Sequence, residues 1–301
     1  MDLRALAVAA GIAGWTPAPV AAPKSAPVPV VLPADLPVVA SPSAAVVSWD
    51  ALLASLDAAR VIGVGEKHDE ASHHQIQALV LDRLAARDPS IVVGFEMVSQ
   101  DQQGALDDFL SGKTSETDFA AFWKKAWGFD YAIYKPLFDA IRARRLKAYG
   151  LNAPIALVIK VAKKGLAGLT PAERAQLPAE IRESGDARYR QFVLDSLSGH
   201  QMPPDALARM IQAQAVWNET MGAKAAELSR AARVVVIAGQ GHMMWKAGVP
   251  ESAARRGAGA AAVVLPYPLD GTAMSVPDQL KRLRDPAVGE LPMADDFVLI
   301  P

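Results

Sequence analysis

The chain contains no cysteine. That absence removes disulfides, thiolate metal sites, a cysteine nucleophile and lipid attachment at a cysteine. It suits a reducing cytoplasm as well as an exported protein, so it does not choose a compartment. An excess of charge is missing too. Lys and Arg number 31 against 32 Asp and Glu, a formal charge of −1 with a pI near 6.5, so no overall field recruits nucleic acid or acidic lipid. The densest basic run, Arg142 to Lys147, closes a predicted helix and there complements its dipole. No apolar run is long enough to span a bilayer. A Walker loop and a G-x-S-x-G nucleophile elbow are both lacking. No repeat of roughly 20–50 residues is visible, which excludes a solenoid.

What is present is an ordinary folding composition, 51% hydrophobic and 21% charged over 301 residues. Residues 1–46 read as a leader and linker. Ala5 to Trp15 is an apolar run of signal-peptide length behind a single arginine, Arg4, offset by Asp2, and reads as an export signal, for the periplasm or cell envelope, or as a disordered Ala/Pro-rich leader. Thr16 to Ala45 is dense in proline and reads as an extended tether. Residues 47–301 then form the folded domain.

Within it, apolar runs that end in turns predict strands at Arg60–Val64, Ile91–Met97, Leu146–Gly150, Arg233–Ala238 and Ala261–Leu265, with a terminal edge strand at Phe297–Ile300. Helical periodicity covers Trp49–Ala59, Gln100–Ser111, Thr117–Trp127, Tyr134–Arg145, Ile155–Lys164, Arg188–Leu197, Pro204–Ala231 and a short piece at Asp278–Leu283. Thr170 with Glu173 makes a capping box. Strands alternating with helices predict a three-layer α/β/α fold around a mostly parallel sheet. The excess of helices between about 100 and 202 predicts a small helical subdomain.

The chemistry concentrates at strand ends. Three of the five histidines fall in Arg60 to Gln77, RVIGVGEKHDEASHHQIQ, where a strand runs into Gly65-Glu66-Lys67-His68. The pattern recurs as Gly239-Gln240-Gly241-His242 after Arg233–Ala238. Glu96 ends another strand, and Asn152 follows a further one. Parallel strands would bring Glu66, His68, Glu96 and His242 to one carboxyl edge, where two imidazoles and two carboxylates suit a divalent metal or acid–base chemistry. His73 and His74 read as surface or helix-packing residues, since adjacent helical positions do not share a face. His200 reads as a helix-end residue. Gly63-Val64-Gly65 fails as a dinucleotide loop, because His68 stands where the third glycine belongs. Gln214 interrupts the apolar stripe of the long helix. Trp127 to Tyr134 is the aromatic concentration.

The segments GEKHD…HHQIQ, GFEM…DQQ, WGFDYAIYKPL, GLNAP, GLAGLTPAER and VVVIAGQGH, in that order over about residues 47–267, resemble the ChaN-like haem-binding uptake family of the Tiki superfamily. The resemblance implies a bacterial envelope protein of haem and iron uptake that binds haem as a dimer through a tyrosine, here Tyr131 or Tyr134. A second copy and an envelope receptor or transporter are the implied protein partners. Some Tiki relatives are metal-dependent proteases with two Gly-x-x-His motifs and a glutamate. On that alternative His68, His242, Glu66 and Glu96 hold a divalent ion and form a hydrolase site. Some relatives are lipoproteins; this chain lacks the cysteine for that anchor.

Overall fold

The computed structural model describes residues 32–41, 43, 45–198, 202–268 and 293–300. The expected signal-peptide run Ala5–Trp15, the helix at Asp278–Leu283 and His200 lie outside these residues.

The elements are β1 (Val38–Ala40), β2 (Ala45–Val47), α1 (Trp49–Ser55), β3 (Val61–Glu66), α2 (Ala71–Arg87), β4 (Val92–Ser99), α3 (Gln103–Leu110), α4 (Glu116–Trp127), α5 (Tyr131–Arg144), β5 (Lys147–Asn152), α6 (Ile155–Lys164), α7 (Pro171–Arg174), α8 (Ala187–Ser198), α9 (Pro204–Ser229), β6 (Val234–Gly239), α10 (Val249–Arg255), β7 (Ala261–Pro268) and β8 (Asp296–Ile300). The eight strands form one sheet in the order β2-β1-β8-β7-β3-β6-β4-β5. From β8 to β5 all neighbours run parallel, whereas β1 is antiparallel to both β8 and β2.

Alternation along β6 assigns its side chains to two cores, as a pleated strand must. Val234, Val236 and Ala238 pack under α6, α8, α9 and α10. Val235 and Ile237 join Ile62, Val64, Val93 and Phe95 under α2 and the aromatic helices α3 to α5. The fold is therefore three-layered α/β/α with a mostly parallel sheet. The helices between 100 and 202 divide between the two faces. Phe109, Phe119, Trp123 and Phe138 of α3 to α5 share their core with the sheet.

Two expectations are corrected. The proline-rich segment is not a tether through to Ala45. Leu36, Val38 and Val39 are buried, and β1 pairs with both β8 and β2. Pro37 lacks an N–H, but its carbonyl still accepts from the Leu299 N–H at 2.8 Å. Composition registers the prolines; it cannot register a partner strand at the other end of the chain. For the same reason β8 is not an edge: β1 covers one side of it and β7 the other.

The true edge at β5 is closed by side chains. Gln103 donates to the Ala148 carbonyl at 3.0 Å and accepts from the Gly150 N–H at 2.8 Å, while Gln100 donates to the Leu151 carbonyl at 3.0 Å. Gln102 closes a capping box with Ser99. A short 3-10 turn, Gln100–Gln102, thus replaces the first turn of the helix expected from Gln100.

Candidate functional site

The strand order decides the site. Because β6 lies between β3 and β4, the two Gly-x-x-His segments leave neighbouring parallel strands, with Glu66 in register with Gly239. Glu66 and Asn152 close β3 and β5, Glu96 lies within β4 where its pairing with β5 shifts register, three residues before that strand ends, and His242 ends a 3-10 turn, Gln240–His242, directly after β6. All four predicted residues, with Asn152, therefore stand at one carboxyl edge, the usual location of sites in open α/β sheets. They are enclosed: Glu66 and Glu96 are 1% exposed, His68 5% and His242 0%.

Two histidine–glutamate pairs result. In the first, Nδ1 of His68 meets Oε1 of Glu66 in a short contact. The other oxygen, Oε2, lies 3.3 Å from Nε2 of His74 and accepts from the Tyr134 hydroxyl at 3.3 Å. The Trp127 indole N–H donates to that hydroxyl at 3.0 Å. His74 is steadied by Gln77 Oε1 at 3.1 Å, and Gln77 donates to the Val64 carbonyl at 3.0 Å. Burial opposes ionisation of Glu66, yet His68 and His74 outweigh it and hold the carboxyl below its ordinary range. Burial also opposes charge on His68, and there Glu66 prevails and raises the imidazole.

In the second pair Glu96 accepts from the Gly239 N–H at 2.7 Å, and its Oε1 is 3.1 Å from Nε2 of His242. That nitrogen is close enough for an ion pair but too poorly aligned to make a hydrogen bond, so it counts as unpartnered. Glu96 is buried, which opposes its charge, but His242 and His68 hold it ionised well below the usual carboxylate range. Nδ1 of His242 donates to Asn218 Oδ1 at 2.6 Å, since that oxygen only accepts. Asn218 donates in turn to the Tyr189 hydroxyl at 2.9 Å, which donates to the Gly241 carbonyl at 2.8 Å. Burial pushes that phenol up to about 12. Asn152 donates to the Glu96 carbonyl at 3.0 Å, an orienting contact.

Nε2 of His68 and Nε2 of His242 are both buried without a hydrogen-bond partner, an uncommon condition for polar atoms in a packed interior. Among the described residues no group of three or more His, Cys, Asp or Glu is arranged to hold a metal ion.

The two tyrosines occupy different surroundings. Tyr134 is fully buried, with its hydroxyl inside the first pair, and its ring lies 3.7 Å from that of His74. Tyr131 begins α5 behind the N-cap Asp130 and packs among Phe109, Phe119 and Phe138. Burial raises both phenols above their ordinary value. Trp127 and Phe129 are half-buried, at 4.8 Å and 5.5 Å from the His68 ring.

Sequence reasoning missed four members of this assembly. His74 is not a surface residue but fully buried on Glu66, while His73 turns elsewhere and accepts from the Lys67 N–H at 3.0 Å. Gln214, which donates to the Tyr189 hydroxyl at 3.3 Å, and Asn218 are one helical turn apart on an apolar face, so the interruption at Gln214 was the available signal. Tyr189 carried none.

A family model described as haem-binding uptake, Tiki superfamily, ChaN matches residues 52–252. The chain belongs to that family. A structure titled cofacial heme binding to ChaN of Campylobacter jejuni is similar over 87% of this chain and 96% of that one, with a TM-score of 0.63 and 18% identity. The erythromycin esterase EreC, as a mutant in its open conformation, is similar over 84% of this chain and 93% of that one, with a TM-score of 0.50 and 11% identity. At these identities both likenesses speak to the fold. No curated protein matches the chain. The ChaN-family region spans both histidine–glutamate pairs and the aromatic segment between them.

Proposed function

We propose that this protein binds haem and serves haem or iron uptake in the bacterial cell envelope. Membership of the ChaN family over residues 52–252 carries the reading. The aromatic segment supports it, because Trp127 and Phe129 present half-buried rings beside a buried imidazole, apolar surface of the kind a porphyrin requires. Tyr131 and Tyr134 are the tyrosines that the family resemblance puts forward as iron ligands. Among the described residues no helix is long and apolar enough to cross a membrane. A second copy of the chain and an envelope receptor or transporter are the partners this role calls for.

The test is titration of the purified chain with ferric hemin. A saturable Soret band at a fixed stoichiometry is expected. Absorbance that rises without saturation, as for free hemin in the presence of any protein, counts against the reading.

A hydrolase is the second reading, favoured by two buried histidine–glutamate pairs at one sheet edge with both Nε2 atoms unpartnered. On this reading the two buried imidazoles and two carboxylates do the acid–base work of hydrolysis. Ester or peptide turnover should then survive a chelator and vanish in His242→Ala. Turnover that appears only with added metal would contradict that form of it.

A further inference from the structure

We infer that the cavity between α8 and α9 binds a small neutral molecule, an apolar body of about four to six non-hydrogen atoms carrying a hydroxyl or amide N–H, and that its occupancy is felt at His242. The site lies on the face of the sheet away from the aromatic helices, so it stands apart from the haem reading.

The walls are apolar. Val193 and Leu194 of α8 and Ile211 and Ala215 of α9 line a cavity of about 90 Å³. An apolar cavity of roughly 150 Å³ accepts benzene, which sets the size of what this one takes. Leu194 is 37% exposed, unusual for a large hydrophobic side chain of this protein, and an occupant would cover it. Glu183 and Arg190, the charged members of the lining, are exposed, so the inner end carries no charge.

That inner end is polar. It consists of Tyr189, Gln214 and Asn218, all buried. The Tyr189 hydroxyl gives its proton to the Gly241 carbonyl at 2.8 Å, and His242 Nδ1 gives its own to Asn218 Oδ1 at 2.6 Å. Neither has a proton left for the Gln214 oxygen, so that amide turns its nitrogen towards them, at 3.3 Å and 3.4 Å. Its oxygen is left over. Among the residues that line the cavity, Gln214 Oε1 is the one buried side-chain atom without a hydrogen-bond partner.

The unmet demand is therefore for a donor. Water answers it poorly, because a buried water makes about three hydrogen bonds and this lining leaves a single acceptor open beside apolar walls. A charged ligand answers it poorly as well, since nothing at the inner end would compensate the charge. A hydroxyl or amide N–H on an apolar body meets both conditions. The residues it would touch also orient His242. Asn218 holds Nδ1 and Gln214 lies beside it, whereas Glu96 stands on the Nε2 side. A ligand on Gln214 thus acts on the support of the imidazole and not on the nitrogen that faces Glu96.

The experiment uses the full chain, methyl-labelled for NMR, and 2-butanol. The control is 2-butanone, of equal size but with no proton to donate. 2-Butanol is expected to shift the Val193, Leu194 and Ile211 methyl signals saturably, with a Kd of about 1–10 mM for so small a molecule. The His242 ring signals should move with the same midpoint. 2-Butanone should bind at least about 5-fold more weakly, the difference one hydrogen bond makes. Gln214→Leu should erase that preference, and Ala215→Leu, which fills the cavity, should abolish both responses. Equal binding of alcohol and ketone to the wild type overturns the ligand class. Methyl shifts without a His242 response overturn the coupling, and signals that move only linearly with concentration overturn the site. The wild-type comparison needs no variant, so it decides the matter even if a substitution prevents folding. None of these outcomes bears on hemin uptake.

Discussion

At the scale of single residues, the site is governed by two buried histidine–glutamate pairs. The Glu66–His68 pair has a definite pH signature. A lowered carboxyl contributes stability above its ordinary value of 4.5 and loses it as pH falls through the folded value. A raised imidazole contributes below its ordinary 6.5 and loses it as pH rises through the folded value. The pair's contribution is therefore complete between those two figures and declines on either side. In Glu66→Gln the largest charge that raises His68 is gone and burial is opposed mainly by the weaker influence of Glu96, so the imidazole should titrate lower than in the wild type. Proton NMR of the His68 ring against pH measures this. An unchanged titration midpoint in the variant would mean that another group holds the proton.

Elements are held by side chains acting as backbone. Gln103 takes the place of a further strand along β5, both accepting from Gly150 and donating to Ala148. In Gln103→Leu these two backbone groups lose their partners, at a cost of about 1–3 kcal/mol, and the freed edge invites pairing with another molecule. The expected result is a lower denaturant midpoint with concentration-dependent light scattering. A variant that stays monomeric and equally stable would show that water serves the edge as well. This also explains the DQQ segment. Gln102 closes the cap on Ser99, and Gln103 closes the sheet. Nearby, Gly150 has no room for a side chain, since a Cβ there would lie 2.7 Å from the Ser99 carbonyl oxygen, a backbone atom that cannot turn aside.

Across the whole molecule, the first and last strands of the described residues meet. β1 bonds to β8, Ser41 N–H reaches the Asp295 carbonyl at 2.8 Å, and the Trp49 indole donates to the Leu36 carbonyl at 2.9 Å. Truncation separates leader from fold. Removing residues 1–31 should leave the thermal midpoint unchanged, because that stretch reads as leader and proline-rich linker. Removing residues 1–41 takes away Leu36, Val38 and Val39, each worth about 1.5–3 kcal/mol when buried, and leaves β8 as an open edge. The midpoint should then fall by about 10 °C or more, read by calorimetry. Equal midpoints for the two truncations would mean that the β1 pairing contributes nothing.

Sequence by itself determined the repeated local units: strand, glycine turn, then a histidine, and a carboxylate at the end of another strand. These are local because apolar β-branched runs, glycines and helix periodicity act over a few residues. The parallel sheet and its helical layers followed from alternation alone. Tertiary structure decided which strands are neighbours, and no local pattern encodes that. Placing β6 between β3 and β4 set His242 beside Glu96. Tertiary structure also buried His74 on the Glu66 carboxylate, where sequence had left surface or helix packing open, because α2 lies with that side on the sheet. It also turned part of a proline-rich segment into an inner strand, since hydrogen bonds to β8 satisfy there what composition alone leaves to water.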